Sequence, residues 1–360
     1  MNDPTPKPAF LYDLPRLLWL RAVEQQLQRA PEPALHMLRP GTPHRPTPSP
    51  SRGEGAQQFS PLPGQGEGSG VRAARTIAVL PGSFNPLTRG HEALVIAAQR
   101  EGVDAVLLVL PVRAIDKEGV ARAALVDRAL VLMQWAARHG GAGVALVNRG
   151  LYLEQAVLLA AQYPSSAITF LVGYDKVEQI FDPRYYTHRD TALEALFGLA
   201  TLRVAPRQGR GEDALDALLQ REENRRFAAH VTPLMLEADV DALSSTTVRE
   251  AARGGDPDRA ARDGLVPVET AVFLREALPY SAPVPLPDGE EIDAYGLRLA
   301  LIDAAAAGRL GPSADFAVLC HQARAATPEG KRLRAWLAQG QAPVIAINAR
   351  LEKRSMRPDS

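Results

Sequence analysis

The sequence has very little cysteine and no excess of either charge. Cys320 is the single cysteine among 360 residues, so no intrachain disulfide can form and nothing requires an oxidising compartment. Lysine plus arginine and aspartate plus glutamate number 41 each, which excludes a global basic field that would recruit nucleic acid. Any phosphate chemistry must therefore depend on the local placement of charged side chains.

Long hydrophobic runs are also missing. The longest apolar stretches, such as residues 105–111, fall far short of the roughly 20 residues that cross a bilayer. The N-terminus lacks the basic and then apolar pattern of a signal peptide. Cys320 and His321 are adjacent, but no second pair stands at the spacing of zinc ligands. We therefore expect a cytoplasmic protein with no membrane partner.

The composition is that of a globular enzyme except in one segment. Apolar residues make up 46% of the chain and charged residues 23%. Between residues 39 and 71, however, Pro, Gly and Ser dominate, and Phe59 is the single aromatic residue. Such a segment cannot bury enough apolar surface to offset the entropy of ordering it, so we predict a disordered linker without a site. Before it, residues 10–30 predict an amphipathic helix packed on the main domain, with docking or oligomerisation as the alternative role.

The stretch TIAVLPGSFNPLTRGHEALVIAA, residues 76–98, combines a strand, a glycine turn and a helix. The apolar run at 76–80 predicts a buried strand, and the Pro-Gly-Ser and Asn-Pro that follow predict a turn. Thr88 is the predicted N-cap of the helix, and His91 lies in its first turn. Backbone N–H groups and the positive end of a helix meet here, which favours an anion. We interpret this stretch as a nucleotide-phosphate site.

Strands and helices alternate through the rest of this region. Strands are predicted at 105–111, 144–148, 168–172 and 202–205, with helices at 121–139, 151–163 and 213–229 and a short strand at 231–236. This alternation predicts an α/β fold with a Rossmann-like, doubly wound and mainly parallel sheet. Ligands of such sheets bind beyond the carboxyl ends of the strands. The segments that follow predicted strands are Gly82-Ser83, the loop with Lys117, Gly173-Tyr174-Asp175, Pro206-Arg207 and Ser244-Ser245.

A second motif, SSTTVR at residues 244–249, opens another predicted helix. Three successive hydroxyls, from Ser244, Ser245 and Thr246, offer caps beside the N–H donors of the helix N-terminus. Arg249 follows one turn later and can donate two hydrogen bonds to phosphate oxygens on the same side. Alone, the motif is equally typical of an ordinary helix cap with an exposed arginine.

Together the two motifs resemble those of the nicotinamide or nicotinic acid mononucleotide adenylyltransferases. The core Thr88-Arg89-Gly90-His91 is similar to the family's H-x-G-H or T-x-G-H, and residues 244–249 resemble its S-S-T-x-x-R. LVGYD at 171–175 is similar to its G-x-D element, and residues 265–280 to its closing helix. The resemblance covers residues 75–280. It implies a catalytic domain over 72–280, flanked by an N-terminal helical segment at 1–38, the linker at 39–71 and a helical extension of unknown role at 281–360.

The resemblance implies adenylyl transfer from ATP to a mononucleotide, with His91, Arg249 and Lys117 as catalytic residues. His91 would donate to the α- or β-phosphate, while Arg249 and Lys117 would neutralise the leaving pyrophosphate. Asp175 would bind a ribose. Mg²⁺ is expected as the cofactor, held mainly by phosphate oxygens, and no protein metal ligands are predicted. The residues implied in nucleotide binding are Gly82, Ser83, Phe84, Thr88, Gly90, Gly173, Asp175, Arg207, Ser244, Ser245 and Thr246.

Several alternatives remain open from the sequence. Pantetheine-phosphate adenylyltransferases also carry T-x-G-H, although they are usually much shorter, and cytidylyl transfer is a third option. A nucleotide-binding regulator without turnover is an alternative of a different class. The base recognition segment FDPRYY at 181–186 lacks the tryptophan usual in bacterial nicotinate-preferring members, so the acceptor stays undecided. ATP and a mononucleotide are the expected partners, and homo-oligomer formation is left open.

Overall fold

The fold was determined from a computed structural model. It describes residues 8–38, 75–112, 123–207, 209–236, 243–286, 289, 291–311 and 314–339. The predicted linker at 39–71 lies wholly outside these residues, as does Lys117. None of the helices in the described ranges is both long and apolar enough to cross a bilayer.

Seven strands form one sheet in the order β1-β4-β3-β2-β5-β6-β7. They are β1 (Leu35–Leu38), β2 (Thr76–Pro81), β3 (Ala105–Pro111), β4 (Ala142–Val147), β5 (Ala167–Gly173), β6 (Ala200–Ala205) and β7 (Val231–Pro233). All neighbouring strands are parallel except β1, which runs antiparallel to β4 at one edge. The order reverses between β2 and β5, which is the switch point of a doubly wound sheet. The predicted Rossmann-like α/β fold is confirmed.

Thirteen α-helices are found in the described part of the chain. A short hairpin is formed by β8 (Val284–Pro285) and β9 (Glu291–Ile292). The helices before the second motif are α1 (Leu14–Arg29), α2 (Arg89–Arg100), α3 (Leu125–Arg138), α4 (Tyr152–Gln162), α5 (Tyr174–Phe181), α6 (Arg189–Phe197) and α7 (Glu212–Leu219). The later ones are α8 (Ser245–Arg253), α9 (Arg259–Arg262), α10 (Val268–Ala277), α11 (Ala294–Ala306), α12 (Phe316–Arg324) and α13 (Pro328–Gln339).

Alternation along the strands builds two cores, one on each face of the sheet. In β2, Ala78 and Leu80 point to one face, while Ile77 and Val79 point to the other. The first face is covered by α2, α3 and α10 and by the terminal helices, and the second by α4 to α7. Strands buried on both faces explain the continuous apolar runs in the sequence. The polar loops are thereby left to the ends of the strands.

Four helices, α1, α11, α12 and α13, form an outer layer on the first face. Helix α1 contacts α3 and α11, and α12 and α13 pack together and against α11. Arg298 of α11 donates from Nε to Asp127 Oδ1 of α3 at 2.7 Å, and both side chains are buried. Arg21 of α1 donates from Nε to Asp303 of α11 at 2.7 Å. Arg298 and Arg21 thus have carboxylate partners, whereas the buried Arg334 of α13 donates to the Ala323 carbonyl at 2.7 Å.

The structure differs from the sequence-based expectations at three elements. Strand β1 was not predicted; it is anchored by Asn148, whose side chain accepts from the Ala34 N–H and donates to the Glu32 carbonyl, each at 2.8 Å. The helix predicted over 213–229 is too long, because α7 ends at Leu219. There the buried Asn224 amide donates to the Leu218 carbonyl at 2.8 Å and satisfies the helix end. The strand predicted over 231–236 ends at Pro233, which cannot donate to a ladder.

Candidate active site

A cleft of about 480 Å³ opens beyond the carboxyl ends of β2, β5 and β6, beside the switch point. Its volume lies within the usual range for small-molecule sites. Twelve of the predicted site residues line it: Gly82, Ser83, Thr88, Gly90, His91, Gly173, Asp175, Arg207, Ser244, Ser245, Thr246 and Arg249. The two sequence motifs and the end of β5 therefore surround one cavity.

The second motif is hydrogen-bonded directly to the first. Arg249 Nη1 donates to the Asn85 carbonyl at 2.8 Å, and Ser245 Oγ donates to the Pro86 carbonyl at 2.9 Å. At the start of α2, Gly90 leaves room for this approach, because a Cβ there would lie 3.1 Å from the Leu243 carbonyl oxygen. Two segments that are more than 150 residues apart thus build one wall of the cleft.

His91 is held in a defined tautomer by Thr88. The Thr88 backbone N–H donates to His91 Nδ1 at 3.1 Å, and the Thr88 hydroxyl lies 2.8 Å from the same nitrogen. Since Nδ1 accepts, the neutral imidazole carries its proton on Nε2, which makes Nε2 the donor nitrogen of the ring. Thr88 is buried and serves as the N-cap of α2. It therefore orients the histidine in addition to lining the cleft.

The start of α8 supplies hydroxyls and one guanidinium. Ser244 is the N-cap, and its Oγ accepts from the Thr247 N–H at 3.1 Å. Arg249 Nη2 donates to Thr246 Oγ1 at 2.9 Å. Burial is the main cause that lowers the pKa of Arg249 from its ordinary value of 12.5, and the guanidinium stays charged at neutral pH. A cation and a helix N-terminus therefore face the same space.

The opposite wall follows β5 and β6. Arg207 Nε lies 3.4 Å from Asp175 Oδ1, and both side chains are more than a third exposed, which makes this a weak ion pair. Gly173 lies between them: a Cβ there would be 2.8 Å from Asp175 Oδ1 and 3.0 Å from Arg207 Cδ. A side chain at this strand end would therefore displace Asp175 or Arg207 from the positions they occupy at the cleft.

Two predicted residues are not among those that line the cleft. The Phe84 ring is buried beneath it, 1% exposed, and its centroid lies 5.1 Å from that of His91. Its backbone belongs to the loop between Ser83 and Asn85, which do line the cleft. Lys117 lies outside the described residues, so its role stays a prediction. Trp135 is likewise not among the described residues that line the cleft. It is fully buried in the core, and its indole Nε1 donates to Glu92 Oε1 at 3.1 Å.

The structure also brings three unpredicted polar side chains to the cleft: Asn85, Tyr152 and Lys176. Lys176 directly follows the G-x-D element and donates to Gln179 Oε1 at 2.8 Å. Tyr152 begins α4, just after β4, and burial raises the pKa of its phenol above the ordinary value. All three follow strand ends, so the rule that located the other loops could have found them.

The lining of the cleft is suited to anions more than to a bare cation. Among the described residues that line it, the cations are Lys176, Arg207 and Arg249, and Asp175 is the one carboxylate. Throughout the described ranges, no group of three or more His, Cys, Asp or Glu is placed to hold a metal ion. Hydroxyls, N–H groups and guanidinium groups fit phosphate oxygens. A divalent metal would fit this site as part of a nucleotide substrate.

Comparison with known proteins gives matches in structure alone. No family model matches the chain, and no curated protein matches it in sequence. It is similar to nicotinic acid mononucleotide adenylyltransferase from Plasmodium falciparum complexed with NaAD, with a TM-score of 0.42, 12% identity and coverage of 57% of this chain and 97% of that one. A candidate nicotinate-nucleotide adenylyltransferase from Vibrio parahaemolyticus matches with a TM-score of 0.31 and 18% identity, over 57% and 98% of the two chains.

Proposed function

We propose that the protein transfers the adenylyl group of MgATP to nicotinamide or nicotinic acid mononucleotide and releases pyrophosphate. The observation that carries this proposal is the contact between the two motifs, in which Arg249 and Ser245 donate to the carbonyls of Asn85 and Pro86. A phosphate loop and a helix N-terminus with hydroxyls and an arginine then share one cleft. This arrangement suits two nucleotides whose phosphates must meet.

The reaction needs no nucleophile from the protein. An oxygen of the mononucleotide phosphate forms a bond to the α-phosphorus of ATP, and the bond from that phosphorus to the β-phosphate oxygen breaks. Catalysis then consists of positioning and of stabilising the charge on the transferred and leaving groups. His91 supports the first group: with Nδ1 engaged by Thr88, its Nε2–H is the donor for a phosphate oxygen.

The leaving pyrophosphate would be stabilised by Arg249 and by the N-terminus of α8. Arg249 is anchored through Nη1 and Nη2, each to a neutral oxygen, so its positive charge is kept in place without being cancelled there. Lys117 is proposed as a second cation on this phosphate. Magnesium enters with ATP, held by phosphate oxygens and water, and supplies further charge neutralisation.

The proposal is tested by measuring pyrophosphate release from MgATP with three acceptors in parallel: nicotinamide mononucleotide, nicotinic acid mononucleotide and phosphopantetheine. Turnover with a pyridine mononucleotide is expected and identifies the preferred base. Turnover with phosphopantetheine alone would replace the proposed acceptor. ATP binding without pyrophosphate release in any arm would indicate a non-catalytic nucleotide-binding protein.

The role of His91 is tested in the same assay with His91→Ala. Loss of a positioned donor is expected to lower kcat by about 100-fold or more. Exposed His188 precedes α6 and is not among the residues that line the cleft, so His188→Ala is the control that should leave kcat unchanged. A kcat for His91→Ala within about threefold of the wild type would contradict the assigned role.

A further inference from the structure

The loop between β2 and α2 contains a strained residue. Phe84 has a φ of 42°, in the left-handed region that residues other than glycine rarely adopt. Such a conformation is unfavourable and persists only where the surroundings hold it. The ring of Phe84 fills the space beside Gly82, where an added Cβ would lie 3.1 Å from Phe84 Cζ. The loop is therefore held in a shape that it would not adopt alone.

Two arginines hold the carbonyls on either side of Phe84. Arg249 donates to the Asn85 carbonyl from the α8 side at 2.8 Å. From the α3 side, Arg128 Nη1 donates to the Ser83 carbonyl at 2.5 Å, and its Nε donates to the Ala123 carbonyl at 2.9 Å. Arg128 is 8% exposed, and it is not one of the described residues that line the cleft.

A second set of hydrogen bonds, to the side chain of Asn85, fixes the same loop. The Asn85 side-chain oxygen accepts from the Tyr280 hydroxyl at 2.8 Å and from the Ala123 N–H at 3.1 Å. Ala123 therefore connects to both Arg128 and Asn85. Burial raises the pKa of the Tyr280 phenol above its ordinary value, so the hydroxyl remains a donor across the physiological range.

The planarity of the peptide bond converts this anchoring into an orientation. In a trans peptide the carbonyl of Ser83 and the N–H of Phe84 point in opposite directions. A Ser83 carbonyl drawn towards α3 by Arg128 therefore turns the Phe84 N–H away from α3, towards the side on which Ser83 lines the cleft. We propose that Arg128 is a positioning residue that presents the Phe84 N–H to the phosphate of the acceptor mononucleotide. This inference rests on the proposed function.

Substitutions of Arg128 separate orientation from charge. Arg128→Met removes both, whereas Arg128→Lys keeps the charge but cannot reproduce the two donors that reach Ser83 and Ala123. A positioning role predicts that both variants raise KM for the mononucleotide about tenfold, which is the loss expected for one charge-assisted hydrogen bond, while KM for ATP stays within about twofold. Wild-type KM in Arg128→Lys, or equal changes for the two substrates, would overturn the proposal.

Arg138→Met is the matched control. Arg138 lies on the same helix and donates to the buried Glu269 at 2.8 Å, far along α3 from the loop. It should lower thermal stability and leave KM for the mononucleotide unchanged. If Arg128→Met does not fold, the decision rests on Arg128→Lys, whose melting temperature is compared with that of Arg138→Met.

A direct readout is available because the chain has nine phenylalanines. With ¹⁵N-phenylalanine labelling, the Phe84 amide signal is identified by its absence in Phe84→Tyr and followed as nicotinic acid mononucleotide is added. The wild-type signal is expected to shift on binding, and the shift should be lost in Arg128→Lys. Binding without a shift at Phe84 would overturn the positioning role even if pyrophosphate release succeeds. Conversely, the shift would support it even if no pyrophosphate were released.

Discussion

Arg298 in the outer layer and Arg249 in the cleft are held by opposite kinds of partner. In the outer layer, Arg298 pairs with Asp127 at 2.7 Å, and their side chains are 4% and 1% exposed. In the cleft, Arg249 donates to the Asn85 carbonyl and the Thr246 hydroxyl, neither of which carries a charge. Helix α3 separates the regions, because Asp127 faces Arg298 while the next residue, Arg128, donates to the Ser83 carbonyl.

This difference separates a charge that is balanced within the fold from one that is not. A buried arginine with a carboxylate partner is neutralised in place and contributes to packing. A guanidinium held by neutral oxygens keeps its charge, and burial makes that charge more costly until an anion arrives. Burial lowers the pKa of Arg249, in keeping with a cation that lacks full solvation. The charge of Arg249 is therefore not balanced by its neutral hydrogen-bond partners, as the proposed phosphate site requires, whereas the pair of Arg298 and Asp127 is complete without a ligand.

The largest expected effect is on stability, from breaking the pair in the outer layer. Arg298→Met would leave Asp127 buried without its partner, so we expect the free energy of unfolding to fall by about 3–5 kcal/mol. Denaturant unfolding measures this loss. Turnover per folded molecule should stay near the wild-type value, because Arg298 is not among the described residues that line the cleft.

Two further variants control for this interpretation. The exposed pair of Arg332 and Glu329 in α13 offers a comparison, since Arg332→Ala should cost less than about 1 kcal/mol. The double variant Asp127→Leu with Arg298→Met should regain much of the lost stability, because it leaves no unpaired charge. If the single Arg298→Met variant is as stable as the wild type, the pair does not hold the layer.

The next effect, on turnover, comes from the cleft. Arg249→Met removes the cation that faces the phosphates, and we expect kcat for pyrophosphate release to fall by about 10²–10³-fold. Stability should change far less than in Arg298→Met, because only bonds to neutral oxygens are lost. Arg253→Met, one turn further along α8 at an exposed position, is the control that should keep its activity. A melting temperature lowered as much as in Arg298→Met, with kcat intact, would reverse the contrast between the two regions.

Much of the site could be predicted from sequence because contiguous residues encode it. The strand β2, the turn at Gly82 and the N-cap at Thr88 each depend on local patterns, and the rule about strand ends placed Asp175 at the same edge. Local chemistry likewise predicted that Ser244 caps a helix. These features need no knowledge of distant contacts.

The remaining features depend on contacts between distant segments. Strand β1 has only four residues, and its pairing is secured by Asn148, more than 100 positions later. The bond from Arg128 to Ser83 and the left-handed Phe84 follow from packing between α3 and the loop. Contacts of this kind leave no periodic pattern in the sequence from which they could be predicted. Lys176 is a different case, because it directly follows Asp175 but is not part of the G-x-D element.

The cleft and the outer layer meet where α2 packs against α3. The smallest effect is expected there, on the pH dependence of stability. The buried Glu92 of α2 contacts Arg89, Trp135 and His139. Burial raises the pKa of Glu92, but hydrogen bonds from His139, Arg89 and Trp135 outweigh it and lower the pKa to about 2. The hydrogen bond to Glu92 is the main cause that raises the pKa of His139, and burial opposes it. The buried Glu269 adds to the same shift of His139.

The signs of these shifts define a pH window for stability. The lowered pKa of Glu92 contributes stability above its unfolded value of 4.5 and loses it as the pH falls towards 2. The raised pKa of His139 contributes below 6.5 and loses it as the pH rises through the folded value. Denaturant midpoints should therefore decline on both sides of this window in the wild type. Glu92→Gln should flatten both declines. His139→Phe, which can keep the ring stacked on Trp135, should remove the alkaline decline and flatten the acid one in part, because Arg89 and Trp135 still donate to Glu92. If the alkaline decline persists in His139→Phe, another group is responsible for it. In that case the charges of Glu92 and His139 do not link α2, at the cleft, to α3, under the outer layer.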